Sequence, residues 1–359
     1  MGTATMSAAA EIIVVVGARP QFIKASALCA AFIAVGLPFR LLHTGQHFDE
    51  AMSGVFFREL NLPPPAWNLA CGGTTHGAMT GAMLAGIEEV LLREKPGMVV
   101  VFGDTNSTLA GALAAAKLHI PVAHVEAGLR SHNRRMPEEL NRICTDHLSD
   151  LLFCSSDAGR DLLAAEGITR GVHVSGDVMA DVFFSTLARV RAGGPRERFH
   201  ALLTLHRAEN TDDPDRLRSI LAALEQSGVP VVFPVHPRTR KALETQALPL
   251  PANVRCVEPT GHTEFVALLD ACAVLLTDSG GLQKEALWAG KPCITLRDET
   301  EWTETVATGW NTVAGAETAA ILAALKRPVP AGRPPALYGD GQSAPRIAAV
   351  ITGFMDHAS

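Results

Sequence analysis

The sequence holds no CxxC pair, and its seven cysteines, at positions 29, 71, 144, 154, 256, 272 and 293, are odd in number with several inside apolar runs. That pattern argues against a disulfide framework and reads as buried free thiols. No HExxH or Cys/His cluster is present, which speaks against a zinc site, and no metal is expected. There is no basic run and the formal net charge is -6, so a nucleic-acid surface is not expected, and any anionic ligand must be met by local cations. No apolar run reaches transmembrane length, and no basic region precedes the first short one, Ile12 to Val16, so a soluble cytoplasmic protein without a membrane partner is expected. The dinucleotide fingerprint is also missing: one glycine, Gly17, follows that run where GxGxxG needs three. Nicotinamide and flavin lose their best support, and no cofactor is expected.

What is present is apolar patterning. Hydrophobic residues make up 47% of 359 residues, ample for two cores in a chain longer than one core usually serves. Strand-like runs recur at Ile12 to Val16, Phe39 to His43, Met98 to Phe102, Val122 to Val125, Leu151 to Cys154 and Val172 to Val174. They resume at Leu202 to Leu205, Val231 to Phe233, Val254 to Val257, Val274 to Leu276 and Cys293 to Leu296, with helical patterns between most of them. Alternation of this kind predicts an α/β fold of two parallel-sheet, Rossmann-like domains. The polar segment RVRAGGPRER, 189–198, marks the hinge region, giving an N-terminal domain over 1–180 and a second over 181–342. A final helix within 343–359, after the proline-rich stretch 327–335, is expected to pack back on the first domain.

The densest chemistry lies between Val99 and Arg142, VVVFGDTNSTLAGALAAAKLHIPVAHVEAGLRSHNRRMPEELNR. Two apolar runs each end in a carboxylate, Asp104 and Glu126, and a helix start, MPEEL, brings Glu138 into its first turn. The runs flank an alanine-rich helix, Ser107 to Leu118, as in a βαβ unit, so their acids should share the sheet edge where ligands bind. The first strand turns through GARPQFIK, where Arg19 and Lys24 can meet a phosphate or a carboxylate. TGQH after the second run offers Gln46 and His47 as cleft residues. In the second half, TDSGGLQKEALWAG places Ser279 as an N-cap, with Gly280 and Gly281 opening backbone N–H groups to an anion and Glu285 one turn on, a layout suited to a diphosphate carrying a nucleoside. LHRAEN and PVHPR end two further strands and supply His206, Arg207 and His236. For Arg19 and Lys24 the alternative reading is ordinary solvated charge, and for Asp104, the glycine segment and the HPR segment it is a helix cap or a plain turn; His43, His119, His124, His132 and His262 read as structural or surface groups.

These motifs, with GDTNSTLAGAL, HVEAGLRS and LRDETE, together resemble the non-hydrolysing UDP-N-acetylglucosamine 2-epimerases of bacteria and archaea over nearly the whole chain. The resemblance implies two Rossmann-like domains facing across a cleft in the glycosyltransferase-B arrangement, a homodimer, and a UDP-sugar substrate. It implies that Asp104, Glu126 and Glu138 serve the sugar, with His206 near the diphosphate. Arg19, Lys24, Gln46, His47, Arg142 and Arg207 would line the ligand, as would His236 and Arg297. Ser279, Gly280 and Gly281 would hold UDP, with Glu285 on the ribose.

Two departures from the family pattern follow. Trp302 stands in Thr300 to Glu304 where many members carry arginine; with GWN at Gly309 to Asn311 it is more similar to the branch acting on UDP-2,3-diacetamido-2,3-dideoxyglucuronic acid. GGTTHG at Gly72 to Gly77 lacks the Arg-Gln pair of allosterically regulated members, so activation by UDP-N-acetylglucosamine is not expected. The implied reaction is elimination and re-addition of UDP through a 2-acetamidoglycal. A retaining glycosyltransferase, a hydrolysing epimerase and a non-catalytic nucleotide-sugar sensor are the alternatives, and the three acids, Asp104, Glu126 and Glu138, weigh against the sensor.

Overall fold

A computed structural model of the chain describes residues 11–46 and 62–358. The chain divides into two compact units, unit 1 from Met1–Val182 with Tyr338–Ser359 and unit 2 from Phe183–Leu337.

Unit 1 is built on β1 (Ile12–Val16), β2 (Phe39–His43), β3 (Trp67–Asn68), β4 (Met98–Phe102), β5 (Val122–Ala127), β6 (Leu151–Cys154) and β7 (Val172–Val174). They pair in parallel in the order β3-β2-β1-β4-β5-β6-β7. β1 and β4 are buried at every residue, which is why they read as unbroken apolar runs: parallel strands are covered on both faces. The helix Asn106–Lys117 uses its small residues to approach the sheet closely. A Cβ on Gly111 would lie 3.0 Å from a Val101 methyl. The last helix, Ser343–Ala358, joins the same core through Ile347, Ile351 and Met355. Its first turn is capped from far along the chain, the Asp181 carboxylate accepting from the N–H groups of Ser343 at 3.0 Å and Ala344 at 2.9 Å.

Unit 2 repeats the plan with β8 (Phe199–Thr204), β9 (Val231–Pro234), β10 (Val254–Val257), β11 (Cys272–Thr277), β12 (Cys293–Thr295) and β13 (Asn311–Val313). The parallel order is β10-β9-β8-β11-β12-β13. Its separate core gathers Leu203, Leu217, Ile220, Phe233, Leu276 and Ile321.

Several expected strands change their bounds. β5 continues through Glu126 instead of stopping at Val125, β8 begins at Phe199 and leaves Leu205 outside, β9 adds Pro234, β11 lengthens to Cys272–Thr277, β12 stops at Thr295, and the short β3 and β13 add unforeseen edges. Not all the thiols are buried either. Cys144 and Cys256 are exposed, Cys256 because it lies on edge strand β10. No helix among the described residues is long and apolar enough to cross a membrane.

Each sheet has one reversal of strand order, between β1 and β4 in unit 1 and between β8 and β11 in unit 2. Ligands of open α/β sheets bind outside the carboxyl ends of strands at such reversals.

Candidate active site

In unit 1 the reversal is flanked by the turn after β1 and by Gly103–Asp104 after β4. Gln21, almost fully buried, ties the two together. Its Oε1 accepts from the N–H groups of Gly17 at 2.8 Å and Ala18 at 3.0 Å, and its Nε2 donates to the Phe102 carbonyl at 2.9 Å. The N–H groups that a dinucleotide fold would offer to phosphate at this turn are therefore taken. Gly17 is required by crowding, since a Cβ there would lie 2.1 Å from both the Ser107 and Thr44 hydroxyls.

Asp104 does not cap the helix that follows it. Thr105 does, its hydroxyl accepting from the Thr108 N–H, which leaves the Asp104 carboxylate to pair with Arg142. Asn141, one residue earlier on the helix Pro137–Leu148, holds the Asp104 carbonyl at 2.9 Å. Glu126 pairs with Lys24, and both groups stand over Gly103, where a Cβ would be 3.3 Å from Glu126 Oε2 and 3.6 Å from Lys24 Nζ. Glu126 has a φ of 74°, and the β5–β6 register slips between Val125 and Ala127. This is a bulge with a non-glycine residue in the left-handed region, a strained arrangement that re-aims the side chain. So Asp104 and Glu126 each lie at the carboxyl end of one of two adjacent strands, β4 and β5, and each carboxylate is gripped by a cation from a helix, Arg142 from Pro137–Leu148 and Lys24 from Arg19–Val35.

Glu138 is exposed in the first turn of its helix, whereas its neighbour Glu139 is buried. Burial pushes the Glu139 carboxyl up, but hydrogen bonds from Ser131 and from the His132 N–H outweigh it and hold the group below the usual range. Arg142 bridges Glu139, at 3.1 Å, and Asp104. Gln46 Oε1 accepts from both the N–H and the hydroxyl of Ser107, at 3.1 and 2.7 Å, and so satisfies the first turn of the helix Asn106–Lys117. His47 lies outside the described residues, and of Arg19 only the backbone is described, at the start of its helix.

Beneath the acids lies a buried charge cluster that the motifs did not announce. His124 is fully buried, its Nδ1 2.7 Å from the Asp146 carboxylate and its Nε2 2.8 Å from the Gly103 carbonyl. Burial raises the Asp146 carboxyl, and contacts with His124 and Arg130 reverse that and hold it low. Position was the available signal, since His124 stands two residues before Glu126 on β5.

In unit 2 the reversal is flanked by His206–Arg207 after β8 and Asp278–Ser279 after β11. Asp278 is completely buried and accepts from the N–H groups of His206 at 3.0 Å and Arg207 at 2.9 Å, while His206 Nδ1 lies 2.9 Å from its other oxygen. Burial alone would raise the Asp278 carboxyl; His206 and these N–H groups hold it below its ordinary value. His236 stands 6.1 Å from His206, ring to ring, and its Nδ1 caps the helix Pro237–Thr245 by accepting from the Arg238 N–H at 3.2 Å. Burial, then the nearby His206 and Arg238, keep the His236 ring below its usual value.

Ser279 occupies the N-cap position of the helix Gly280–Ala289, but its side chain makes no cap hydrogen bond, contrary to expectation. Thr277 Oγ1 holds the junction instead, accepting from the Ser279 N–H at 3.0 Å. A helix N-terminus left without a side-chain cap is suited to an anion. Gly281 faces open space, whereas a Cβ on Gly280 would lie 2.4 Å from Glu301 Oε1, the end of a flexible side chain that would have to move aside. Glu301 in turn pairs with Arg297 at 2.8 Å. Glu285 is buried one turn in, with His262 Nε2 3.9 Å from its carboxylate. Trp302 is buried under the Lys284 ammonium, 3.9 Å from its ring. Among the described residues no group of three or more His, Cys, Asp or Glu side chains is placed to hold a metal ion.

Comparison with known proteins meets this geometry. The family model described as UDP-N-acetylglucosamine 2-epimerase matches residues 34–352. The UDP-2,3-diacetamido-2,3-dideoxy-D-glucuronate 2-epimerase of Pseudomonas aeruginosa is 50% identical over 352 residues, covering 94% of this chain and 98% of that protein. The crystal structure of the Methanocaldococcus jannaschii UDP-GlcNAc 2-epimerase in complex with UDP-GlcNAc and UDP superposes with a TM-score of 0.81 at 41% identity, covering 96% of this chain and 99% of that one. The calicheamicin glycosyltransferase CalG4, 16% identical with a TM-score of 0.55 over 96% of this chain and 94% of that one, shares the fold alone. With the family model spanning most of its length and a relative identical at half of the aligned positions, the chain belongs to the UDP-N-acetylglucosamine 2-epimerase family.

Proposed function

We propose that this protein inverts C2 of a UDP-linked acetamido sugar by eliminating UDP and adding it back. The observation that carries the reading is the pair of carboxylates on adjacent strand ends, Asp104 held by Arg142 and Glu126 held by Lys24, beside the reversal of strand order in unit 1.

The C2 proton of such a sugar has no carbonyl on a ring neighbour to acidify it, so the anomeric bond must go first. UDP leaves C1 with the bonding pair, and the positive character left at C1 acidifies the C2 proton. One carboxylate removes that proton and the 2-acetamidoglycal forms. A second acid delivers a proton to the opposite face of C2, and a diphosphate oxygen re-forms the bond to C1. Inversion needs acid and base groups on both faces, for which Asp104, Glu126 and the exposed Glu138 are the candidates. It also needs the leaving diphosphate stabilised. The uncapped N-terminus at Ser279 to Gly281 in unit 2 suits that task, with His206, Arg207, His236 and Arg297 as supporting groups and Glu285 for the ribose. In unit 1, Arg19, Lys24, Gln46, His47 and Arg142 complete the proposed set.

For the sugar itself, 50% identity to the Pseudomonas aeruginosa enzyme over nearly the whole of both chains favours UDP-2,3-diacetamido-2,3-dideoxy-D-glucuronate. UDP-N-acetylglucosamine is the second reading, supported by the 41% identical Methanocaldococcus jannaschii enzyme. Incubating the protein with each UDP-sugar and resolving the products by chromatography and NMR tests this. Inversion at C2 of the diacetamidouronate, with little or none of UDP-N-acetylglucosamine, is the expected result. Turnover of UDP-N-acetylglucosamine alone reverses the substrate assignment, and turnover of neither defeats the reading. The reading carries with it a cytoplasmic homodimer, which sedimentation equilibrium checks.

A further inference from the structure

Asp278 lies at the strand reversal of unit 2, and no motif assigned it a role. Its two oxygens are not equivalent. Oδ2 receives the N–H groups of His206 and Arg207, at 3.0 and 2.9 Å, with the Asn210 amide nitrogen at 3.4 Å; Oδ1 faces His206 Nδ1 at 2.9 Å and takes only a longer share of the His206 N–H, at 3.2 Å. An ionised carboxylate only accepts, so the hydrogen between them belongs to Nδ1. The other ring nitrogen, Nε2, belongs to a side chain that is 42% exposed.

We propose that Asp278 is the positioning residue of His206, fixing the Nδ1–H tautomer and the ring plane so that Nε2 is the nitrogen that meets the leaving diphosphate. This deepens the reading above and rests on His206 serving the diphosphate. A neutral ring held this way presents a bare Nε2, which takes up a proton. The resulting Nε2–H donates to a diphosphate oxygen, and the buried carboxylate balances the charge of the ring behind it. Arg207 and Asn210 hold the carboxylate from the far side, and Asn210 is itself anchored to the Leu296 carbonyl at 2.8 Å, so the pair stands on a rigid base.

The asymmetry of the carboxylate makes Asp278→Asn a specific test. The amide oxygen must take the Oδ2 place, where backbone N–H groups converge, which puts the NH2 group against Nδ1. Nδ1 then becomes the acceptor and the proton moves to Nε2, the wrong tautomer in an otherwise intact site. In 15N-histidine-labelled protein, at a pH high enough for a neutral ring, His206 is expected to be Nδ1–H in the parent and Nε2–H in Asp278→Asn.

Turnover of the preferred UDP-sugar is expected to fall about 100-fold in kcat in that variant, as for loss of a general acid or base, with KM and UDP affinity within about threefold of the parent. In a His206→Asn background the same substitution should cost no more than about twofold further, because Asp278 acts through His206. An Nε2–H tautomer in the parent overturns the proposal, and the parent spectrum decides this even if the variant does not fold. Full kcat in Asp278→Asn beside an inactive His206→Asn overturns it while leaving the role of His206 standing. Multiplicative losses in the double variant point to a merely structural Asp278 and overturn it too. Parent-level kcat in His206→Asn removes the role of His206 and the inference with it.

Discussion

Replacing His124 by leucine removes two hydrogen-bonding ring nitrogens at once from a completely buried site. The ring is completely buried, as is Asp146. The change strips the Gly103 carbonyl of its 2.8 Å partner and one Asp146 oxygen of its 2.7 Å partner. Breaking a buried ion pair by removing one member costs about 3–5 kcal/mol, and an orphaned buried carbonyl about 1–3. The two do not simply add, because Arg130 and the Gly128 N–H still hold the other Asp146 oxygen. A loss of about 4 kcal/mol is expected, which for a unit of this size lowers its unfolding temperature by roughly 12 °C.

Differential scanning calorimetry reads this directly and separates unit 1 from unit 2 if they unfold apart. The sign with pH follows from Asp146, whose carboxyl is held below its ordinary 3.8 in the folded chain. Its contribution is therefore complete above the unfolded value and is lost as pH falls through the lower folded one. The gap between parent and variant should thus be full at neutral pH and shrink in strong acid. A drop under about 3 °C at neutral pH, within what a surface substitution produces, would refute the argument that this cluster fastens the floor of the site.

Three further outcomes follow from the same structure. Asp104→Asn and Glu126→Gln should each lower turnover at least about 100-fold while UDP affinity, measured by calorimetry, stays near the parent value; near-normal rates would remove these residues from the chemistry. Gly128→Ala should destabilise unit 1 by about 3 kcal/mol or more in denaturant titration, because φ is 79° and the new Cβ would lie 2.4 Å from the Gly159 carbonyl oxygen, which is backbone and cannot swing away. Iodoacetamide on the native protein, followed by mass spectrometry, should label exposed Cys144 and spare Cys29, Cys154, Cys272 and Cys293, whose thiols burial pushes up to about 12. Labelling of Cys293 before Cys144 would contradict the burial argument.

The alternation of apolar runs with helical patterns specified parallel sheets. β1, β4 and β6, buried at every residue, keep the bounds that their apolar runs indicated, and so do the partly covered β2, β7 and β10. β3 and β13 were not legible, because two- and three-residue edges such as Trp67–Asn68 and Asn311–Val313 carry too little pattern to separate from loop. The acids were visible as strand-end residues. Their partners were not, since Lys24 reaches Glu126 across 102 positions and Arg142 reaches Asp104 across 38, separations that only the sheet order closes.

The same limit hid Asp278 behind the glycines that follow it and Gln21 inside GARPQFIK, two buried side chains whose work is to hold backbone at a strand reversal. The bulge at Glu126 was equally silent: VAHVEA reads as a strand either way, and nothing local records the left-handed φ.

The central claim is that the C2 proton leaves the sugar while UDP is detached. Running the reaction in deuterated water with the preferred UDP-sugar and following C2 by NMR tests it most directly. The account predicts deuterium at C2 of the epimerised product and, as the reaction approaches equilibrium, of the recovered substrate. An epimerised product that keeps its original C2 hydrogen would contradict it.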